Sequence, residues 1–170
     1  MLETIYPEEE QLFFTDRDHV LALLDLSRSL LQQGVRKHVA LTGFRRVGKS
    51  LALKEFLRRS RQSKDTIVQL AYIDLPRLAF TPETFAIQYL GYLLYWLTGS
   101  GKQRPEAFFS AVTQLSVVGQ LGNPDLNLFF ATFHHELEKE KPDQHLLVEM
   151  AFNAPEIIAT ATGQKVMLLL

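Results

Sequence analysis

Cysteine is absent from this chain, which removes disulfides, thiolate catalysis and cysteine-based zinc sites together and is compatible with a reducing compartment. Neither sign of charge is in excess: 18 Lys and Arg stand against 19 Asp and Glu, for a formal net charge of -1. Contact with nucleic acid or an anionic membrane would therefore have to come from a local patch. Long hydrophobic runs are also lacking. The most apolar helical stretch, FAIQYLGYLLYWL at 85–97, is interrupted by Gln88 and falls short of the ~20 residues that cross a bilayer. It is expected to be a buried helix, and no membrane partner is expected. The opening MLETIYPEEE is acidic, with no basic segment followed by an apolar one. A secretory signal is thus unsupported, and a cytoplasmic location is the default.

What is present is enough apolar material for one domain: 170 residues, 46% of them hydrophobic. The most informative stretch is GFRRVGKS at 43–50, which satisfies G-x-x-x-x-G-K-[ST] at every fixed position. Chance would produce that pattern in roughly half a percent of chains this long, so its setting decides its meaning.

Ahead of the motif, Thr15 or Asp16 can cap a helix carrying Val20, Leu23, Leu24, Leu30 and Leu31, with Gly34 placed to end it. HVALTG at 38–43 is a short apolar run closing on glycine, the pattern of a strand buried in a parallel sheet. After Ser50, the residues Leu51, Leu53, Phe56 and Leu57 among charged neighbours predict a helix with one sheet-facing side. A second strand, TIVQLAYIDL at 66–75, would complete a βαβ unit. Thr81 and Pro82 open the aromatic helix, which TGSGK at 98–102 closes. Residues from about 100 to 163 read as a helical insertion, with a helix near 126–139 and a shorter one near 155–162. The apolar run 166–170 reads as a core strand, and the chain stops on it with no turn residue. The expectation is an N-terminal piece of a longer protein, cut inside that strand.

The loop residues suit a polyphosphate. Gly43 allows a sharp turn, and Gly48 removes a side chain where main chain must approach phosphate oxygens. The amides of Phe44, Arg45, Arg46 and Val47 can form an inward-facing nest, to which the following helix adds free N–H groups and its positive dipole end. Lys49 offers a point charge to the β- and γ-phosphates, and the Ser50 hydroxyl suits Mg²⁺; Leu51 completes the candidate set. Arg45 and Arg46 occupy unconstrained positions, where contact with a partner and exposure to solvent are both open. The plainer account of the octapeptide is a glycine-punctuated turn ahead of a helix.

Hydrolysis by such a loop also calls for an Asp at the end of a second strand to hold Mg²⁺. Asp74, after LAYI, is the available carboxylate, and its plainer role is to cap the strand exit. The strand at 166–170 is the preferred partner, but it ends before any acidic residue. The chain is therefore expected to bind ATP and turn it over slowly, with no assigned catalytic residue.

Other clusters carry less. His134, His135, Glu136 and Glu138 invite a metal reading, yet H-E-x-x-H started at His135 puts Lys139 in its last position. Lys54, Arg58, Arg59, Arg61 and Lys64 could touch nucleic acid, but cations toward a helix C-terminus also suit the macrodipole. Tyr89, Tyr92, Tyr95 and Trp96 fit packing better than a ligand site.

FFTDRDHVLALL, VALTGFRRVGKSLALKEF and AYIDL together resemble the N-terminal part of AAA+-related P-loop ATPases, particularly the STAND and archaeal-type ATPase groups. In these an F-x-x-R segment precedes the phosphate loop and lies near the nucleotide base; Phe14 and Arg17 match it, with Asp16 where glycine is common. The resemblance spans residues 12–75 and returns at 166–170 as the beginning of a Walker B strand. It implies an α/β fold: a P-loop NTPase three-layer α/β/α arrangement with a parallel sheet in the order 5-1-4-3-2, truncated within the Walker B strand. Residues 1–14 would form an N-terminal segment and 15–170 a partial ATPase domain. It further implies ATP and Mg²⁺ as cofactors, a conformational switch in a larger protein, and a protein partner or self-association. Sensor residues, an arginine finger and a lid would lie outside this chain. A helical regulatory scaffold with an unused loop, and a nucleic-acid-linked ATPase whose contacts come from a missing C-terminal part, stay open as alternatives.

Overall fold

The computed structural model describes residues 6–14, 17–62, 67–98 and 104–170. Among these it contains seven α-helices and two strands: α1 (Glu8–Gln11), α2 (Asp18–Gln32), α3 (Lys49–Gln62), β1 (Val68–Tyr72), α4 (Pro82–Thr98), α5 (Ala111–Leu121), α6 (Pro124–Leu137), α7 (Gln144–Thr162) and β2 (Lys165–Leu169). Short 3₁₀ turns occupy Leu75–Arg77 and Pro105–Phe108. The candidate caps Thr15 and Asp16, the strand start Thr66, Lys64 and the closing residues 99–102 lie outside the described residues.

α4 organises the core. Ala86 and every residue from Tyr89 through Trp96 are buried, as expected of a helix apolar around its whole circumference. Neighbours cover it from several directions: α7, β1, α5 and the 105–108 turn all pack against it. Two close fits hold that arrangement. Trp96 donates its indole N–H to the Tyr72 carbonyl of β1 at 2.6 Å. Gln114 of α5, fully buried, donates to the carbonyls of Ile87 and Phe108 at 2.7 and 2.8 Å. Gly91 makes the approach of the 105–108 turn feasible, since a Cβ there would lie 2.6 Å from the Phe108 carbonyl oxygen.

The later helices are laid down by local signals. Asn123 caps α6 by accepting from the amides of Asp125 and Leu126, with Pro124 first in the helix. Asp143 caps α7 through the amide of Leu146. α7 is much longer than the segment expected at 155–162, because its buried residues Leu147, Ala151, Ala154 and Ile158 recur at helical spacing from the Asp143 cap onward. Pro155 lies inside that helix and does not start it. Core residues of α5, α6 and α7 join those of α4 and β1 in one cluster.

The three-layer α/β/α fold with a five-stranded parallel sheet is not what forms. The described residues are mostly helical, and the sheet consists of β1 and β2 alone, paired parallel with Val68 opposite Lys165 and Tyr72 opposite Leu169. The physical reason lies at 38–43, where a strand was expected ahead of the loop. A strand needs a neighbour for its N–H and C=O groups. This segment has no backbone hydrogen bond to another described residue, and only Val39 and Leu41 in it are even half-buried. It crosses the surface without regular secondary structure. Among the described residues no helix is long and apolar enough to cross a membrane.

The Gly91 contact gives a direct test. Gly91→Ala should lose about 1–3 kcal/mol through overpacking against backbone. Gly119→Ala, at a helical position with nothing within 4 Å, should be neutral or gain up to about 1 kcal/mol. Urea unfolding of both variants checks the pair; equal midpoints would mean that the α4 approach is looser than described.

Candidate functional site

The motif sits at the entrance to α3. Residues 45–46 turn, 47–48 bend, and the helix begins at Lys49. Gly43 and Gly48 both have positive φ, +147° and +82°, a region glycine enters without the penalty a Cβ brings. Arg46 is also left-handed, at φ 65°, the one non-glycine residue of this kind among those described. For a residue with a side chain such backbone costs about 1–2 kcal/mol, and an outlier of this sort at a loop is a pointer to function.

None of the amides from Phe44 through Leu51 donates a hydrogen bond to another described residue. They form a run of free donors where the helix dipole is positive. Lys49 turns back over this run, donating to the carbonyl oxygens of Gly43 at 2.9 Å and Phe44 at 2.8 Å. The ammonium therefore closes the loop on itself and stands where an incoming anion would meet it. Ser50, in the first turn of α3, is exposed.

An open pocket of about 370 Å³ lies beside the loop, lined by Phe13, Phe14, Arg17, Arg46, Val47, Gly48 and Leu51. Its size falls within the roughly 300–1,000 Å³ usual for small-ligand sites. Arg17 joins the two halves by donating to the Val47 carbonyl, 30 positions along the chain. Phe14 is backed by α3, with the Arg59 guanidinium 5.7 Å from its ring centre, and Glu10 pairs with Lys54 at 2.7 Å. Residues 6–14 and 17 are thus fastened along α3 and against the loop.

The pocket brings together six of the residues singled out in the sequence: Phe14, Arg17, Arg46, Val47, Gly48 and Leu51. Gly43, Phe44, Arg45, Lys49 and Ser50 are not part of its lining; they lie along the adjoining loop and helix start. Phe13 was missed. The sequence signal was the FF doublet, of which only Phe14 fits the F-x-x-R spacing. Asp74, at the end of β1, pairs with Arg77 at 3.0 Å and does not line the pocket.

The remaining candidates are placed as follows. On α3, Glu55 is buried and accepts from Arg58 Nε and Nη2 at 2.8 and 2.7 Å and from Arg59 Nε at 2.7 Å. The Arg58 hydrogen bonds, then those from Arg59, outweigh burial and hold its carboxyl below the usual range. Arg61 lies 4.5 Å from the centre of the Trp96 ring. These basic side chains are occupied within the fold. Tyr89, Tyr92, Tyr95 and Trp96 belong to the core, and burial pushes the Tyr89 hydroxyl up to about 12. The histidine-rich end of α6 is divided between environments. His134 is buried against the rings of Phe130 and Phe133, Glu136 pairs with Lys139, and His135 and Glu138 are exposed. Among the described residues no three His, Cys, Asp or Glu side chains are grouped to hold a metal ion.

No protein-family model, curated protein or solved structure matches the chain. The geometry of the site therefore carries the functional argument.

His134 supplies a pH test. Neither ring nitrogen has a hydrogen-bond partner among the described residues, and burial, opposed weakly by Glu138, lowers its pKa from 6.5. Its contribution is complete above the unfolded value. As pH falls below that value the unfolded chain takes up a proton that the folded chain refuses, so stability declines. Urea unfolding at about pH 7.5 and about pH 5.5 should show a smaller loss for His134→Leu than for the unaltered chain. Equal losses would mean that the imidazole is solvated in the fold.

Proposed function

We propose that this chain is a nucleotide-binding module that holds ATP with Mg²⁺ through the loop 43–50, as its resemblance to AAA+-related P-loop ATPases of the STAND and archaeal-type groups implies. One observation carries the reading: a single pocket joins Phe14 and Arg17 to the loop residues Arg46, Val47, Gly48 and Leu51. The residues present fit the cofactor. The free amides of 44–51 offer donors to phosphate oxygens, and Lys49 can exchange two carbonyl partners for anionic ones, a stronger class of hydrogen bond. Ser50 would supply its hydroxyl to Mg²⁺, whose charge would offset that of the phosphates.

Binding, more than turnover, is the function this site supports. None of the described residues lining the pocket is a carboxylate, and Asp74 is engaged by Arg77. Nucleotide occupancy would draw Lys49 off its loop carbonyls and press on the segment held by Arg17. That is a means of coupling ATP to a conformational switch involving a protein partner or a second copy, in a cytoplasmic setting. A nucleic-acid role gains nothing from α3, whose cations face Glu10, Glu55 and Trp96.

A second reading has one observation in its favour. Lys49 is already satisfied by Gly43 and Phe44, as it would be in a helical regulatory scaffold that keeps the loop closed and unused. Calorimetric titration with ATP and Mg²⁺ separates the two. The unaltered chain should bind, gaining about 2.7 kcal/mol of stability at about 100 times the dissociation constant. Lys49→Ala should bind roughly ten to a hundred times more weakly, as expected for loss of charge-assisted hydrogen bonds. Equal affinity in the two proteins, or no binding by either, would favour the scaffold.

A further inference from the structure

We infer that Arg46 recognises the base of the bound nucleotide, with its guanidinium lying against the face of a purine ring, so that the residue sets ligand selectivity and is no surface ornament of the loop. The inference rests on the nucleotide reading above and assigns the pocket beside the loop to the base.

Three observations converge on it. First, the pocket's guanidiniums differ in employment. Arg17 is tied to the Val47 carbonyl, whereas Arg46 lines the same pocket without a hydrogen bond or ion pair to another described residue. Second, its setting is wrong for a phosphate contact. Lys49 and Ser50, the residues with phosphate and metal chemistry, lie outside the lining, while Phe13, Phe14, Val47 and Leu51 share it with Arg17, Arg46 and Gly48. Two aromatic and two aliphatic residues among the seven offer a flat heterocycle contacts that a polyanion cannot use. A planar guanidinium in such surroundings stacks on π-systems in a way that an ammonium cannot. Third, Arg46 holds its position at φ 65°, where glycine would sit without strain. An unfavourable backbone angle beside a cavity points to a role for that residue at the cavity.

The proposal separates base from phosphate, so the experiment uses one probe with a base and one without: ATP and inorganic tripolyphosphate, each titrated calorimetrically with Mg²⁺ into the whole chain. Arg46→Ala should bind ATP about tenfold more weakly and tripolyphosphate as well as the unaltered protein does. Arg46→Lys keeps the charge without the plane and should show the same ATP deficit. Arg46→Gly supports the left-handed turn by another route; it should repeat the alanine result, which keeps the test valid if Arg46→Ala disturbs the loop. Equal losses for both probes would make Arg46 a phosphate contact and overturn the proposal. Full ATP affinity in the lysine variant, or in all three, would overturn it as well. The Lys49→Ala control distinguishes the failures: if it weakens both probes while the Arg46 variants change nothing, the nucleotide reading stands and only the base assignment falls. If the unaltered chain binds neither probe, both fall.

Discussion

The fold depends on the need to cover α4 from every direction. A helix that buries all residues from Tyr89 through Trp96 cannot lie on a surface, and each fully buried large side chain is worth about 1.5–3 kcal/mol only if water is excluded around it. That requirement recruits α5, α7, the 105–108 turn and β1 together, and it explains why two close polar fits, Trp96 to β1 and Gln114 to two helix-side carbonyls, are placed there. The site is built from what remains. α3 packs against β1 and α2, so the loop at its N-terminus is held at the margin of the core, with Phe13, Phe14 and Arg17 lying beside it.

Electrostatics near the loop divide into two regimes. Along α3 the cations are answered: Lys54 by Glu10, and Arg58 and Arg59 by a buried Glu55 whose carboxyl they hold ionised. At the loop they are not. Arg46, Lys49 and Arg17 meet backbone carbonyls or solvent, and none of the described residues lining the pocket is a carboxylate. Among the described residues the loop thus carries a local excess of positive charge on a chain of net charge -1.

The sequence was legible where a local signal and its partner lay close together. Thr81 with Pro82 marked the start of α4, the apolar run at 85–97 foretold a buried helix, and the strands at 68–72 and 165–169 fell within or beside the runs read for them. Phe14 and Arg17 were placed near the loop by resemblance alone, and they line one pocket with its residues Arg46, Val47 and Gly48. The failures share a cause: sheet membership is a long-range property. Val39, Ala40 and Leu41 have strand character, but strand character cannot provide the neighbour that makes a strand. Pro155 misled for a related reason, since its local preference to begin a helix was overridden by the Asp143 cap and the Leu147, Ala151, Ala154, Ile158 face. Arg46 was among the loop candidates, but its left-handed backbone and its place in the pocket lining are not recorded by a variable motif position.

This last point bears on how much a phosphate-loop motif can say about ligand identity. Its fixed positions serve the main chain: glycines that turn, amides left unpaired, a lysine near the anion. All of these are satisfied by any polyphosphate, so they locate a site without choosing its occupant. Selectivity must come from side chains the motif leaves free, and from residues brought to the loop by the fold. Beside this loop the pocket sets Arg46 together with Phe13, Phe14 and Arg17. Val47 links the two groups: it lines the pocket while its carbonyl accepts from Arg17, so one peptide unit is shared by the cavity and by the contact that fastens Arg17 to the loop.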